Sequence, residues 1–248
     1  IDSIICTPDE LVFEQGLLFA RQTDSKLFRI DLVFKRILTS ELLMHYGEHA
    51  LEHPVVQAYA AGAICMVNSF RAKLLHKKSI FALLTEEANQ DLFSPEQRAA
   101  ITRHVPWTRV VRRGETHYQG ERIDLLDFAR RNRDRLLLKP NDEYGGKGIV
   151  IGWESDTSTW EQALQEAVQS PSVVQERVTI AYEEYPAWIN GELHIGQRLV
   201  DSDPFMFGNE VKGCLSRLST VTLLNVTAGG GSTVPVFVIE SEAEERQL

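Results

Sequence analysis

The sequence predicts an α+β protein. Two apolar, β-rich runs at residues 11–20 and 27–34 are separated by the polar stretch RQTDS, as in a hairpin or a pair of adjacent strands. Farther on, one amphipathic helix, two apolar strands, a second amphipathic helix and a third strand follow within about sixty residues, a density that only a packed sheet-and-helix layer explains. With 43% hydrophobic and 25% charged residues over 248 positions, the chain can bury one extended core or two smaller ones.

Taken in order, residues 11–20 and 27–34 supply the first strands, and Asp31 and Arg36 fall at the end of the second. Residues 54–61 have a helical pattern that Gly62 stops, and the short apolar run ICMV then delivers Asn68 to a loop. Further helices are expected over residues 78–88 and after Ser94, where a Ser-Pro pair has the form of an N-cap and first turn. IDLLDFARRNRD reads as an amphipathic helix, RLLLKP and GIVIGW as buried strands, and TWEQALQEAVQ as a helix with Trp160, Ala163, Leu164, Ala167 and Val168 on one face. Ser158 and Glu161 have the spacing of a capping box at its start, Pro171 ends it, and SVVQERV returns as a strand.

The composition narrows the functional classes. A formal net charge of -9, from 26 basic and 35 acidic residues, argues against a general nucleic-acid binder, which needs a surplus of Lys and Arg to neutralise phosphates. A local cationic cluster is still compatible with that global sign. Cys6, Cys65 and Cys214 are isolated and form no C-x-x-C pair, which points to reduced thiols and a cytoplasmic setting. No apolar run reaches the roughly 18 residues expected of a membrane span. The first residues, IDSIICTPDELVFEQG, lack a basic start and read as a chain entered mid-domain.

The most informative segment is KPNDEYGGKG, residues 139–148, between the two central strands. It is longer and more charged than a tight turn requires. Gly145, Gly146 and Gly148 would let backbone N–H groups approach phosphate oxygens, while Lys139 and Lys147 add positive charge from either side. Glu143 is then the nearest carboxylate for a Mg²⁺ ion. The same run is equally compatible with a glycine-rich surface turn, and its spacing is neither that of a Walker A loop nor of the Rossmann fingerprint. About thirty residues on, the backbone from Gln175 through Glu176 to Val178 could offer adenine a paired donor and acceptor, although an ordinary core strand would look alike.

Together these residues resemble the ATP-grasp superfamily, in which a lysine-bearing strand, a glycine-rich loop and an adenine-flanking strand follow in this order. The order of the remaining pieces resembles its circularly permuted branch, which includes glutathione synthetase and glutathionylspermidine synthase, and most of all a bacterial group within it. The resemblance assigns Lys139 to phosphate and Glu143 to the metal, and nominates Lys78, with Lys77 as the lesser choice, as a second nucleotide lysine at a helix start. IDLVFKR resembles the strand that lines the acceptor site, giving Asp31 and Arg36, and VNSFRAKLLHKK begins with Asn68. GCLSR, LLNV and AGGGS nominate Arg217, Asn225 and the loop of Gly229, Gly230, Gly231 and Ser232. An acidic-x-Asn pair that normally holds Mg²⁺ has no copy here, and the resemblance places it upstream of residue 1.

The resemblance therefore implies residues 1–78 and 177–248 as a discontinuous core and acceptor domain, with residues 79–176 as a nucleotide lid. It implies ATP and Mg²⁺ as cofactors and small-molecule carboxylate and amine substrates, peptide-like ones among them, with no nucleic-acid or membrane partner. The reaction implied is ADP-forming ligation through an acyl phosphate, in which Lys139, Arg36 and Arg217 act on the reacting groups. A nucleotide-binding module without turnover and a phosphotransferase that stops at the acyl phosphate are the alternatives.

Overall fold

The structure is a computed structural model and describes residues 1–222 and 231–238. It is a mixed α+β fold with several sheets, and it divides into two compact units, Ile1–Lys77 and Lys78–Leu248. Among the described residues no helix is long and apolar enough to cross a membrane.

In the first unit, residues 11–20 do not form one strand. They fold back on themselves as β1 (Leu11–Glu14) and β2 (Leu17–Arg21), and β3 (Leu27–Ile30) completes a three-stranded antiparallel sheet. The turn residues Gln15 and Gly16 both have positive φ, 53° and 77°, which suits the right-handed twist of a two-residue hairpin. β4 (Leu32–Phe34) breaks away and pairs in parallel with β5 (Cys65–Val67) across α1 (Thr39–Tyr46) and α2 (Pro54–Ala60). Gly62, at φ 69°, ends the path of α2 as the pattern requires. Leu18, Ala20, Ile30, Val55, Ala58, Ile64 and Met66 form the core, and α3 (Ala72–His76) closes the unit.

The second unit opens with α4 (Ser79–Thr85) and α5 (Pro95–His104), then β6 (Thr108–Val110) and the hairpin β7 (Glu115–Tyr118) and β8 (Glu121–Asp124). Ser94 and Gln97 make a reciprocal capping box at the start of α5. Next come α6 (Leu125–Arg131), β9 (Leu136–Pro140), β10 (Val150–Ile151), α7 (Thr157–Gln169) and β11 (Ser172–Glu176). The sheet order is β10-β9-β11-β6, antiparallel throughout. Alternation sends Leu136, Leu138 and Val174 to one face, where Leu125, Leu126 and Ala129 of α6 and Trp160, Leu164 and Ala167 of α7 cover them. Trp160 is satisfied inside this layer, its indole N–H donating to Ala129 O at 3.1 Å. The N-cap of α7 is Asp156, whose carboxylate accepts from Thr159 N at 2.7 Å, and not Ser158 as the sequence spacing suggests. A carboxylate outcompetes a neighbouring hydroxyl for the same N–H groups.

The remainder is an antiparallel sheet of β12 (Tyr182–Ile189), β13 (Glu192–Phe207), β14 (Glu210–Ser219) and β15 (Gly231–Val234). Asn190 and Gly191 turn β12 into β13 with φ of 52° and 86°. An Asn-Gly pair is the strongest short-range hairpin signal, and the sequence carries it here.

Candidate functional site

The face of the four-stranded sheet opposite α6 and α7 is polar at its centre. Lys139 pairs with Val173 across β9 and β11, and Gln175 lies two residues along on the same side. The Lys139 ammonium donates to Gln175 Oε1 at 2.8 Å, and Gln175 Nε2 donates to Thr108 Oγ1 at 2.9 Å. Gln175 and Thr108 are buried and Lys139 is half-buried. Burial lowers the Lys139 pKa from the ordinary lysine range, and the neighbouring charge of Lys78 lowers it further.

Lys78 reaches this place from the N-cap position of α4. Its backbone N–H donates to Asn141 O at 3.0 Å, and the Asn141 side chain accepts from Ser79 N at 2.8 Å. The Lys78 ammonium donates to the backbone carbonyl of Glu143. A helix start is thus tied to the segment after β9 by a residue 62 positions away, and two lysines are drawn to one spot. Neither Asn141 nor Thr108 was singled out from the sequence. The asparagine sits inside the motif and has the usual capping chemistry, while Thr108 carries no local signal.

The loop from residue 141 to 149 leaves the sheet at once, because β9 ends at Pro140. Gly145, Gly146 and Gly148 have φ of 64°, 78° and 70°. Gly148 is doubly constrained, since a Cβ there would lie 2.7 Å from the Pro140 ring. Lys147 is exposed and pairs with the Glu143 carboxylate at 3.6 Å. Of the backbone groups expected beside adenine, Glu176 N already donates to Trp107 O and Arg177 N to Arg135 O, both within 2.9 Å. Val178 lies past the strand and is exposed. The Glu176 side chain is turned to the other face, where it meets Tyr118 Oη at 2.8 Å and Arg135 at 3.0 Å.

The other nominated residues are distributed as follows. Arg217 stands directly opposite Asp201 in the β13–β14 register and is held by Asp201 and, at 3.0 Å, by Asp203. Gly231 begins β15, beside Ser219, and Ser232 pairs with Leu218. Asn225, Gly229 and Gly230 lie outside the described residues. In the first unit Asp31 is exposed and pairs with Arg29 at 2.7 Å. Arg36 and Asn68 are exposed just past the parallel ends of β4 and β5. Lys35, which the sequence did not nominate, is half-buried there, donates to Ile37 O at 2.9 Å and has its pKa lowered by burial and then by Lys73. Lys35 and Arg36 border a cavity of about 1260 Å³ that is otherwise lined largely by apolar residues such as Ile30, Leu32, Phe34 and Phe70.

Glu86, Glu87 and His117 also converge closely enough to hold a metal ion. The two carboxylates, however, surround the buried guanidinium of Arg109, at 3.3 and 2.7 Å, and are both engaged by that cation. The cluster is a brace between α4 and the β6–β7 region.

The fold and this site define an α+β protein with two lysines and a glycine-rich hairpin loop gathered at one sheet face, an arrangement suited to a polyanion. No protein-family model matches the chain. It is distantly similar to proteins provisionally named glutamate–cysteine ligase 2-2, of Frankia casuarinae, and glutamate–cysteine ligase 2-3, of Frankia alni. Each is 22% identical over 233 residues, which is 91% of this chain and 25% of the relative. The chain thus spans a quarter of the length of the curated relatives it matches.

Proposed function

We propose that the chain binds ATP·Mg²⁺ as part of an ADP-forming carboxylate–amine ligase of the ATP-grasp type in circularly permuted order. The observation that carries this reading is the meeting of Lys78 and Lys139 beside the 141–148 loop, on a sheet whose third partner is the Gln175 strand. The naming of the relatives as ligases agrees with it. On this reading residues 79–176 carry the nucleotide, and residues 1–78 with 177–248 carry the acceptor.

The residues fit a triphosphate. Lys139 spends one of its three donor hydrogens on a neutral amide, which leaves charge and donors for phosphate oxygens. The Lys78 ammonium, which donates to the Glu143 carbonyl and acts on Lys139, would add a second positive charge for the phosphates. Glu143 fits one Mg²⁺ ligand, because among the described residues its carboxylate pairs with the exposed Lys147 at 3.6 Å, which an ion could replace. When bound, Mg²⁺ would neutralise phosphate charge during transfer. The chain's own part is to hold the γ-phosphate, close Gly145, Gly146, Lys147 and Gly148 over it, and exclude water from the acyl phosphate. Arg36 and Arg217 would clamp carboxylate groups, Arg217 by trading Asp201 or Asp203 for substrate. Asp31, Asn68, Asn225, Gly229, Gly230 and Gly231 complete the proposed substrate contacts.

Product analysis on the full-length protein tests the reaction class. A ligase forms ADP only when carboxylate and amine are both present. ADP formed with the carboxylate alone identifies a phosphotransferase, and binding without ADP in any mixture identifies a non-catalytic nucleotide module.

A further inference from the structure

We propose that Gln175 and Thr108 are positioning residues that aim the Lys139 ammonium at a phosphate while supplying no fixed negative charge of their own. The proposal deepens the nucleotide reading above and rests on it for the identity of the anion. Its geometry is a chain of three hydrogen bonds, buried at its centre and part-buried at both ends. Thr108 Oγ1 donates to Pro106 O at 2.9 Å, so its lone pairs must accept, and they accept from Gln175 Nε2 at 2.9 Å. That fixes the amide with Oε1 toward Lys139 at 2.8 Å. The reversed amide would set NH₂ against an ammonium and a carbonyl oxygen against a hydroxyl whose proton is already committed. Both ends therefore select the same orientation.

The choice of an amide is what makes the arrangement informative. A buried cation is ordinarily stabilised by a carboxylate, and Arg109 in the same unit has two. Lys139 has a neutral partner instead. Among the described residues, the neighbouring charge that acts on it is Lys78, from the start of α4. The Glu143 carboxylate in the loop is directed to Lys147, and β11 and β6 contribute the neutral Gln175 and Thr108. The ammonium is thus held in place with its charge uncompensated by its immediate partner. An incoming polyanion then gains the whole interaction without displacing a fixed carboxylate.

The test compares wild type with Gln175→Glu, Gln175→Met and Thr108→Val, each checked for folding by circular dichroism. In the ligand-free protein, lysine-labelled NMR follows the Lys139 titration, assigned by its loss in Lys139→Arg. Gln175→Glu should move that titration upward, because a carboxylate favours the ammonium, and the shift reports that the side chain at 175 faces Lys139. Inorganic tripolyphosphate, which has no adenine, should bind Gln175→Glu about tenfold more weakly or worse. Gln175→Met and Thr108→Val should weaken it by smaller factors with no upward titration shift. If the Lys139 titration is the same in wild type and Gln175→Glu, or if the folded Gln175→Met and Thr108→Val proteins bind tripolyphosphate as wild type does, the proposal is overturned. Tripolyphosphate binding with this pattern but no affinity for ATP would leave the positioning role standing and remove the nucleotide reading.

Discussion

Lys139 and Glu143 sit four residues apart, yet different forces place them. Lys139 lies inside β9, so pairing with Val173 and the period of two fix its side relative to Gln175. Alternation would have put Glu143 on that same side had the strand continued, but β9 stops at Pro140 and the argument from the pleat stops with it. What holds residue 143 near the lysines is its backbone carbonyl, which accepts from Lys78. Its carboxylate rests on Lys147. Glu143→Gln should therefore reduce the gain in nucleotide affinity that Mg²⁺ provides and leave the folded state intact, while Asp142→Asn does much less. Titrations with and without Mg²⁺ check this, and the reverse ranking of the two variants would assign the metal to Asp142.

At the scale of elements, the helices and strands with strong periodicity are where their patterns put them, and the exceptions have local causes. The apolar faces of α6 and α7 were legible because Leu125, Leu126, Ala129, Trp160, Leu164 and Ala167 recur at helical spacing and cover one sheet face. The run at residues 11–20 was misread as a single strand because Gln15-Gly16 is a weaker turn signal than Asn-Gly, and only the positive φ of both residues reveals the hairpin. At α7 the spacing pointed to Ser158, and the cap is Asp156. Hydrogen bonds from Thr159 and Ser158 hold the Asp156 pKa down to about 2. A carboxyl depressed in the folded state contributes stability that is complete above its unfolded pKa, near 4, and is lost as the pH falls through about 2. Asp156→Ala should lower the thermal midpoint at neutral pH, and the difference from wild type should vanish below about pH 2; Ser158→Ala should have the smaller effect throughout. Melts across that pH range decide it.

For the molecule as a whole, the sequence revealed the order of chemical elements better than their contacts. The lysine strand, the glycine-rich loop and the Gln175 strand were legible as a series, and β9 and β11 are direct neighbours. The Asn141 bond to Ser79, which draws the Lys78 end of α4 to the loop, spans 62 residues and has no sequence signature. The same holds for Thr108, whose value lies in a hydrogen bond 67 residues away. Long-range polar contacts of this kind depend on the fold bringing two ordinary residues together, so composition and periodicity are blind to them. The most direct test of the account is a calorimetric titration of ATP·Mg²⁺ into wild type and Lys139→Ala. The account predicts saturable binding by wild type and a loss of about 1.5–3 kcal/mol in the variant, the range of a charge-assisted contact. Equal affinity in the two proteins, or no binding by wild type, would contradict it.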